Sequence, residues 1–292
     1  MQQPQIITTA LLQTRCVGDR SANLSAAAEL LHEAKQAGAQ LACLPELFTA
    51  PYPCQSEDHK RFELAEPLDG PTNQAIRALA KELQLVIIAG SIFEQRAVGV
   101  YHNTSVVFDT DGRAVGQYRK MHIPDDPLYY EKFYFSPGDQ GFKSFATSVG
   151  NVGVCICWDQ WFPEAARLTA MAGAELIFYP TAIGWIPDDK ESYGESQIDA
   201  WLTVMRSHAI TNGCFIAATN RVGTEDQLEF WGNSVAIDPY GAVLAQGTTD
   251  SPQLVVFEFD RAKIQSARTH WPFLRDRRID AYSGLSQRWS DD

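Results

Sequence analysis

The sequence predicts one α/β domain over residues 1–292, built from two similar halves. Short apolar runs typical of buried strands alternate with amphipathic runs typical of helices along most of the chain, and this alternation indicates helices that cover sheets. Segment 38–45 (GAQLACLP) is echoed by segment 173–180 (GAELIFYP), and the turn at 109–112 is echoed at 238–241. Two long, similar halves predict two sheets with helices outside them, related by a pseudo-twofold axis, rather than a solenoid of short repeats.

Periodicity and turn residues define the elements of the first half. Apolar residues recur at helical spacing between Leu24 and Ala34, and Gly38 follows them, which predicts a helix that ends before this glycine. A second helix opens with Pro71, a residue that favours the first helical turn. The predicted elements are a strand at 6–12, a helix at 24–37, a strand at 41–44, a helix at 71–83, a strand at 86–92 and a hairpin of strands 103–109 and 114–118.

The second half repeats the alternation of strands and helices. Its predicted elements are a strand at 152–156, a helix at 162–172, a strand at 176–179, a helix at 200–212 and strands at 215–219, 234–238 and 255–259. Residues 185–195 are predicted to form a loop rich in acidic and aromatic residues, and residues 269–292 a C-terminal tail.

The composition excludes some classes of partner. The formal net charge is −12, which argues against nonspecific binding to nucleic acid and is compatible with a cationic substrate. The same net charge is also explained if the acidic residues serve only to keep the protein soluble. The first residues lack a basic segment, and no apolar run approaches the ~20 residues of a membrane span. We therefore expect no signal peptide and no membrane partner.

Cysteine usage predicts a reducing environment. The six cysteines form no Cys-x-x-Cys pair, and no Cys/His spacing suits zinc. Unpaired thiols fit a cytoplasmic location. We expect no metal site.

One cysteine stands where a nucleophile is favoured. Cys157 lies between the strand at 152–156 and the helix at 162–172. Backbone N–H groups and the positive end of a helix dipole favour a thiolate at such a junction. A buried structural cysteine is the other interpretation, and it is the one that we adopt for Cys155.

Two more strand ends carry ionisable residues. Glu46 follows the strand at 41–44, and Lys120 follows the strand at 114–118. Strand ends gather into sites in layered α/β folds. Taken singly, each residue is also explained as a solvated surface charge.

These three segments, taken together, resemble the Glu–Lys–Cys triad of the nitrilase superfamily, the carbon–nitrogen hydrolases. The resemblance covers the chain from Ile6 to about Tyr282. Within the superfamily it is greatest to the N-carbamoylputrescine amidases, through segments 130–135, 157–164, 179–184 and 273–278. It implies a four-layer α-β-β-α sandwich with the active site at one end of the sheets.

Residue chemistry and the resemblance lead to the same roles. Cys157 attacks a carbonyl carbon, Glu46 transfers the proton, and Lys120 with the backbone N–H of Trp158 stabilises the oxyanion. The resemblance implies a second carboxylate beside the triad, Glu131, which orients Lys120 or the substrate nitrogen. Because side chains supply every function, we expect no cofactor.

The substrate is predicted from acidic and aromatic segments. Segments 125–130 and 185–195 can enclose a four-carbon chain and neutralise a terminal ammonium. The candidate substrate-binding residues are Trp158, Tyr130, Asp188 and Asp189. The predicted reaction converts N-carbamoylputrescine to putrescine, carbon dioxide and ammonia, a step of polyamine synthesis.

Other functions remain open from the sequence. A carbamoyl amino acid, as in the β-ureidopropionate-type amidohydrolases, needs a donor for its carboxylate, and Arg167, Arg206 and Arg221 are available. A nitrile hydrolase of the same superfamily and a catalytically idle interaction module are further alternatives.

The C-terminal tail predicts a homo-oligomer. It carries Trp271, Phe273 and Leu274 among its apolar residues and is too short for a core of its own. Exposed apolar patches normally mark interfaces, although the tail can also fold back over its own domain. Superfamily members associate through exchanged C-terminal segments, so we expect a dimer at least.

Overall fold

The computed structural model describes residues 5–289. Residues 1–4, which belong to the expectation about a leader sequence, and residues 290–292 of the predicted tail lie outside the described residues. The strands are β1 (Ile6–Gln13), β2 (Leu41–Cys43), β3 (Val86–Ile88), β4 (Ile92–Ala97), β5 (Val100–Phe108), β6 (Ala114–Arg119), β7 (Ser144–Ala146), β8 (Asn151–Val154), β9 (Leu176–Thr181), β10 (Gly184–Trp185), β11 (Phe215–Asn220), β12 (Val222–Glu225), β13 (Leu228–Trp231), β14 (Val235–Ile237), β15 (Val243–Gln246) and β16 (Gln253–Asp260). The α-helices are α1 (Arg20–Gln36), α2 (Pro71–Leu83), α3 (Glu131–Tyr134), α4 (Pro163–Met171), α5 (Pro187–Asn212) and α6 (Arg261–His270). Short 3₁₀ helices lie at Pro53–Gln55, His59–Leu64, Cys157–Trp161, Ile279–Ala281 and Ser283–Ser286.

Two large sheets divide the chain roughly into its two halves. The first sheet has the order β16-β1-β2-β3-β5-β4, with β6 paired to β5, and the second has the order β15-β14-β11-β9-β8-β7. In each sheet the strand from the repeated segment, β2 or β9, runs parallel to both of its neighbours. Only β16 returns from the second half to the first sheet, where it pairs antiparallel with β1.

Side-chain alternation along the strands builds the layers. On β2, Leu41 and Cys43 face the core between the two sheets, whereas Ala42 faces the helices outside, as a period of two requires. Residues of α1 and α2 bury the outer face of the first sheet. Residues of α4 and α5 bury the outer face of the second. The four-layer α-β-β-α sandwich is therefore confirmed.

The helices form where the apolar spacing predicts them. On α1, Ala27, Leu31 and Ala34 are buried against the first sheet, and a fully buried leucine contributes about 1.5–3 kcal/mol. Asp19 caps this helix by accepting a hydrogen bond from the Ser21 N–H at 2.8 Å, which places its start four residues earlier than the apolar spacing alone predicts.

The strand predicted at 86–92 is broken into two. β3 ends at Ile88, and β4 begins at Ile92. Between them Gly90 has a φ of +54°, and a Cβ added there would clash with the carbonyl of Pro45. The glycine lets this backbone run directly against the turn that carries Glu46.

The segment predicted as a loop at 185–195 is largely helical, so that interpretation is wrong. Helix α5 begins at Pro187, with Asp188 and Asp189 in its first turn, and both features favour a helix start. Gly194 inside the helix leaves room for the indole of Trp185, whose Nε1 donates to the Gly194 carbonyl at 3.2 Å.

A small third sheet was not predicted from the sequence. It has the order β10-β13-β12 and joins the start of α5 to the end of β11. Its strands are two to four residues long, which is too short for a periodic pattern to be recognised.

The C-terminal tail leaves aromatic side chains exposed. Trp271 and Phe273 are each almost half exposed, and Trp289 is 82% exposed. The Trp271 ring contacts Tyr240 and Phe273 of its own chain, so its domain covers part of this apolar surface and leaves part exposed. No helix within residues 5–289 is long and apolar enough to cross a membrane.

Candidate active site

The three predicted strand ends meet at one end of the two sheets. Glu46 follows β2, Lys120 follows β6 and Cys157 follows β8. All three side chains are buried, with Lys120 only 1% and Cys157 only 5% exposed. Charged side chains are almost never buried without partners, so their surroundings determine what they can do.

Lys120 lies between two buried carboxylates. Its Nζ is 2.8 Å from Glu46 Oε1 and 2.8 and 2.7 Å from the two oxygens of Glu131. Neither glutamate has exposed surface. The structure therefore brings Glu131 directly to the predicted triad, bound to its lysine.

Neutral side chains hold both carboxylates in place. Asn103 Nδ2 donates to Glu46 Oε1 at 2.7 Å, and the Tyr52 hydroxyl donates to Glu131 Oε1 at 2.6 Å. The second oxygen of Glu46, Oε2, is buried without a hydrogen-bond partner among the described residues. This oxygen is available to accept a proton.

The backbone at Cys157 is strained. Its φ is +42°, a left-handed conformation that costs a non-glycine residue of order 1–3 kcal/mol and that is found preferentially at functional sites. Cys157 begins the 3₁₀ helix Cys157–Trp161, and its Sγ lies 3.9 Å from the carbonyl oxygen of Ala182.

Asp159 fixes this strained turn to the strand that carries the lysine. Its buried carboxylate accepts hydrogen bonds from the Ile156 N–H at 2.9 Å, the His122 N–H at 3.0 Å and the Tyr118 hydroxyl at 2.8 Å. Ile156 precedes the nucleophile candidate, while Tyr118 and His122 flank Lys120. One carboxylate thus joins the ends of β8 and β6.

The electrostatics differ from the thiolate expected at a helix start. Burial raises the pKa of the Cys157 thiol well above its usual value, and the Glu46 carboxylate adds to this rise, while Lys120 opposes it. Burial and carboxylates outweigh the short helix, so the resting thiol is protonated. A nucleophilic thiol here needs a base.

The carboxylates also determine the charges of their neighbours. Burial disfavours the charged form of Lys120, but Glu131 and Glu46 outweigh it and hold the pKa of the ammonium well above its usual value. Burial raises the pKa of Glu131 to about 7, with Lys120 opposing the rise and Glu46 adding to it. Two carboxylates therefore share one cation.

Cys155 lies in a different environment. It has no exposed surface and packs between the second sheet and its helices, with its Sγ 3.4 Å from Thr169 Oγ1. This is the packing role expected from the sequence. All six cysteines are free and buried.

A cavity of about 630 Å³ opens onto Cys157. Of the predicted substrate-binding residues, Trp158 and Asp189 line it, whereas Tyr130 and Asp188 do not. Its lining consists of Pro124, Asp126, Pro127, Tyr129, Cys157, Trp158, Trp161, Ala182, Ile183, Gly184, Ile186, Asp189, Gln197, Ala200 and Trp231.

Two of the predicted substrate-binding residues lie outside the cavity lining, next to residues that belong to it. Tyr130 precedes α3 and donates its N–H to the Cys54 carbonyl at 2.9 Å; its neighbour Tyr129 reaches the cavity and accepts from the Gly184 N–H at 3.0 Å. Asp188 is exposed in the first turn of α5, and the next residue, Asp189, turns toward the cavity.

The cavity carries negative charge. Among the described residues, its lining includes the carboxylates of Asp126 and Asp189 but no lysine, arginine or histidine. Lys190, adjacent to Asp189, instead pairs with Glu229 at 2.7 Å and lies 4.7 Å from the centre of the Trp185 ring. The one nearby cation on α5 is therefore held away from the cavity.

Two polar residues of the lining were missed by sequence reasoning. Gln197 Oε1 and Trp231 Nε1 are buried without partners among the described residues. Gln197 and Ala200 line the same cavity as Asp189, at ~80° and ~20° around α5 from it for ~100° per residue, but this pattern is visible only once α5 is known to begin at Pro187. Within residues 5–289, no group of His, Cys, Asp and Glu side chains is arranged to hold a metal ion.

Comparisons with known proteins agree with this geometry. The N-carbamoylputrescine amidase of Solanum tuberosum is 43% identical over 97% of this chain and 96% of its own length. The citrullinase of Francisella tularensis is 36% identical over 97% of this chain and 99% of its own. A crystal structure of a carbon–nitrogen hydrolase from Helicobacter pylori G27 superposes with a TM-score of 0.94, at 44% identity, over 98% of this chain and 100% of that one.

A family model agrees with these likenesses over most of the chain. The carbon–nitrogen hydrolase model matches residues 8–269, a range that includes Glu46, Lys120, Glu131 and Cys157. The resemblance inferred from three short motifs is confirmed: the chain belongs to the carbon–nitrogen hydrolase family.

Proposed function

We propose that this enzyme hydrolyses N-carbamoylputrescine to putrescine, carbon dioxide and ammonia, a step that forms a polyamine. The observation that carries the proposal is the cavity beside Cys157, which has two carboxylates and no basic side chain in its described lining. The likeness to N-carbamoylputrescine amidases over nearly the whole chain supports the same substrate.

The first chemical step forms a covalent intermediate. The Cys157 thiol gives its proton to the free oxygen of Glu46 as the sulfur attacks the carbamoyl carbon. Negative charge develops on the carbonyl oxygen, where the Lys120 ammonium and the Trp158 N–H stabilise it. Collapse of this intermediate breaks a C–N bond, and the leaving nitrogen takes the proton from Glu46.

The second step releases the acyl group by hydrolysis. Glu46, again ionised, removes a proton from water as the oxygen attacks the thioester carbon, and the proton returns to the sulfur. This hydrolysis releases a carbamic acid. As its hydroxyl proton passes to the remaining nitrogen, the second C–N bond breaks, and carbon dioxide leaves together with the second nitrogen product. One water is consumed for each N-carbamoylputrescine, and no electrons are transferred.

Glu131 supports the lysine in this scheme. Both of its oxygens accept from Lys120, so Glu131 continues to hold the ammonium when the N–H bound by Glu46 Oε1 turns toward the oxyanion. A cation held by fixed partners stabilises a developing charge without prior reorganisation. We therefore propose Glu131 as the residue that keeps Lys120 charged and oriented.

The charge of the cavity argues against substrates with a carboxylate. Arg221 is buried and bound to Glu225 and to backbone carbonyls, and Arg206 donates to the Gly241 carbonyl. Neither these two residues nor Arg167 belongs to the cavity lining. A carbamoyl amino acid would thus meet carboxylates where it needs donors, whereas a terminal ammonium meets Asp189, Asp126 and aromatic rings.

We also propose a homo-oligomer held together by the C-terminal tail. The exposed aromatic residues between Trp271 and Trp289 support this assembly, because apolar surface of this extent is normally covered. The six free thiols support a cytoplasmic location, where cysteines remain reduced.

Removal of any member of the triad should abolish most turnover. Cys157→Ala removes the nucleophile, and Glu46→Gln removes the proton acceptor, so each should cost several orders of magnitude in ammonia release. Lys120→Ala should also destabilise the fold, since two buried carboxylates lose their cation. Mass spectrometry after quenching should detect an acylated Cys157 in the native enzyme only.

Cys155→Ala is the matched control for the nucleophile and should retain activity, because its thiol lies in the core. Substantial turnover by a folded Cys157→Ala enzyme would refute the covalent mechanism.

The rate should depend on the ionisation of the buried carboxylates. As the pH falls through about 7, the pKa of Glu131, this carboxylate gains a proton and holds the Lys120 ammonium less firmly. We expect kcat/KM to rise with pH along an acid limb near this value.

Glu131→Gln should move this limb to lower pH, because a neutral amide replaces Glu131, the carboxylate that titrates near pH 7. Profiles from about pH 5 to 9 on both enzymes, with thermal unfolding at each pH, measure this shift. An unchanged acid limb in a folded Glu131→Gln enzyme would contradict the assignment.

The distal ammonium of the substrate should contribute to specificity. N-carbamoyl-n-butylamine lacks this charge and should have a kcat/KM lower than N-carbamoylputrescine by roughly tenfold or more, for ~1.4 kcal/mol. Asp189→Asn should reduce this ratio. Asp188→Asn changes the same charge in the same helical turn, outside the cavity lining, and should leave the ratio unchanged.

A panel with N-carbamoyl-β-alanine, citrulline, ω-amides and simple nitriles, scored for ammonia release, tests the alternatives. A preference for N-carbamoyl-β-alanine, or equal rates for the charged and uncharged amines, would rule out the proposed substrate even if the triad is correct.

Deletion of the tail should disrupt the assembly. The intact chain should be a dimer or a larger multiple of dimers by light scattering. A chain that ends at His270, which keeps α6 complete, should be smaller and less stable because its apolar partner surface is lost. A monomeric intact chain, or a truncated chain of unchanged assembly, would exclude this role.

A further inference from the structure

Arg221 is a fully buried cation outside the triad. It follows β11, and its Nη2 donates to the backbone carbonyls of Glu46 at 2.7 Å and of Leu47 at 2.8 Å. The guanidinium thus binds the backbone of the residue that carries the proposed base. Arg221 does not belong to the lining of the cavity beside Cys157, so its hydrogen bonds point to a role within the protein.

The turn held by Arg221 is strained. Leu47 has a φ of +46°, an uncommon conformation for a leucine, and its N–H donates to Ser91 Oγ at 3.0 Å. Two successive carbonyls converge on a single Nη2. Without this donor, both buried carbonyls would lose a partner, and the turn would relax toward a conformation that moves the Glu46 side chain.

The other end of the guanidinium connects to the second carboxylate. Arg221 Nη1 donates to both oxygens of Glu225, at 2.9 and 2.8 Å. Glu225 Oε2 accepts the Tyr52 N–H at 2.6 Å, and the Tyr52 hydroxyl donates to Glu131. The connections form a closed ring, because Glu131 binds Lys120 and Lys120 binds the carboxylate of Glu46.

The residue before Arg221 fixes the opposite side of the thiol. Asn220 Nδ2 donates to the Ile183 carbonyl at 2.9 Å, and Asn220 Oδ1 accepts the Ile183 N–H at 3.0 Å. Ile183 follows Ala182, whose carbonyl is the hydrogen-bond partner of Cys157 Sγ. Two adjacent residues at the end of β11 therefore anchor both the base and the wall that faces the nucleophile.

We infer that Arg221 is a positioning residue that holds the Glu46 turn, and through it the carboxylate of Glu46, in register with the thiol of Cys157. The inference rests on the amide hydrolysis proposed above but not on the identity of the amine. A residue that only stabilised the fold would affect the thiol whether or not Glu46 is present. The proposed role of Arg221 instead affects the thiol of Cys157 through Glu46.

Arg221→Lys tests this inference, since a lysine keeps the charge but cannot bridge the carbonyls and Glu225 with one nitrogen. We expect kcat to fall by roughly a hundredfold, the effect of a displacement near 1 Å in an active site, with KM little changed. Arg261→Lys is the matched control: Arg261 pairs with Glu175 at 2.8 Å away from the site, and its substitution should leave kcat unchanged.

The rate at which iodoacetamide alkylates Cys157 separates positioning from a loss of stability. Arg221→Lys should slow this reaction when Glu46 is present and should have no further effect in the Glu46→Gln background, a non-additive result expected for residues that act on one another. Because alkylation needs no substrate, this readout holds even if N-carbamoylputrescine proves to be the wrong amine.

Two outcomes would overturn the inference. The first is a folded Arg221→Lys enzyme with native kcat, and the second is equal slowing of alkylation with and without the Glu46 carboxylate. If Arg221→Lys does not fold, Glu225→Gln replaces it in the same cycle, because the amide preserves the shape while weakening the hold on the guanidinium. Additive effects of Glu225→Gln and Glu46→Gln would equally refute the ring.

Discussion

One buried ammonium group, Lys120 Nζ, sets the organisation of this end of the molecule. It lies within 2.8 Å of oxygens from Glu46 and Glu131, and its charge opposes the rise in the pKa of Glu131 that burial and Glu46 cause. Desolvation offsets most of the attraction in such a cluster, so buried ion pairs contribute little to stability. The cluster instead fixes the positions of the lysine and the two carboxylates, and neighbouring side chains such as Asn103 and Tyr52 hold these carboxylates in place.

That geometry is maintained by connections across both sheets. The first sheet supplies Glu46 and Lys120 through β2 and β6, and the second supplies Cys157 through β8 and the anchoring residues through β11. Asp159 joins β8 to β6, and Arg221 joins β11 to β2. The reacting groups therefore come from both halves of the chain, and the halves are held in register by buried polar groups rather than by apolar packing alone.

Sequence reasoning found the elements whose signals are local. Cys157, Glu46 and Lys120 follow short apolar strands, and the helix at Pro71–Leu83 is marked by the proline at its start, so both the fold and the three strand ends could be predicted. Tyr129 lines the cavity and Tyr130 does not. No periodic pattern in the sequence shows which of these two adjacent tyrosines reaches the cavity. Arg221 was considered only as a substrate ligand, because the carbonyls that it binds at Glu46 and Leu47 are far away in sequence, which no motif records. The protonated thiol likewise depends on burial that only the folded chain reveals.

The protonated state of Cys157 has a consequence for survival under oxidative conditions. Peroxides oxidise thiolates far faster than thiols, and the first product, a sulfenic acid, leads on to irreversible acids. In the mechanism proposed above, Cys157 becomes a thiolate only when Glu46 takes its proton during attack, so little of the reactive form is exposed between turnovers. Glu46, the carboxylate proposed to activate the sulfur toward an amide, also raises the pKa of the thiol and thus shields it from indiscriminate oxidants.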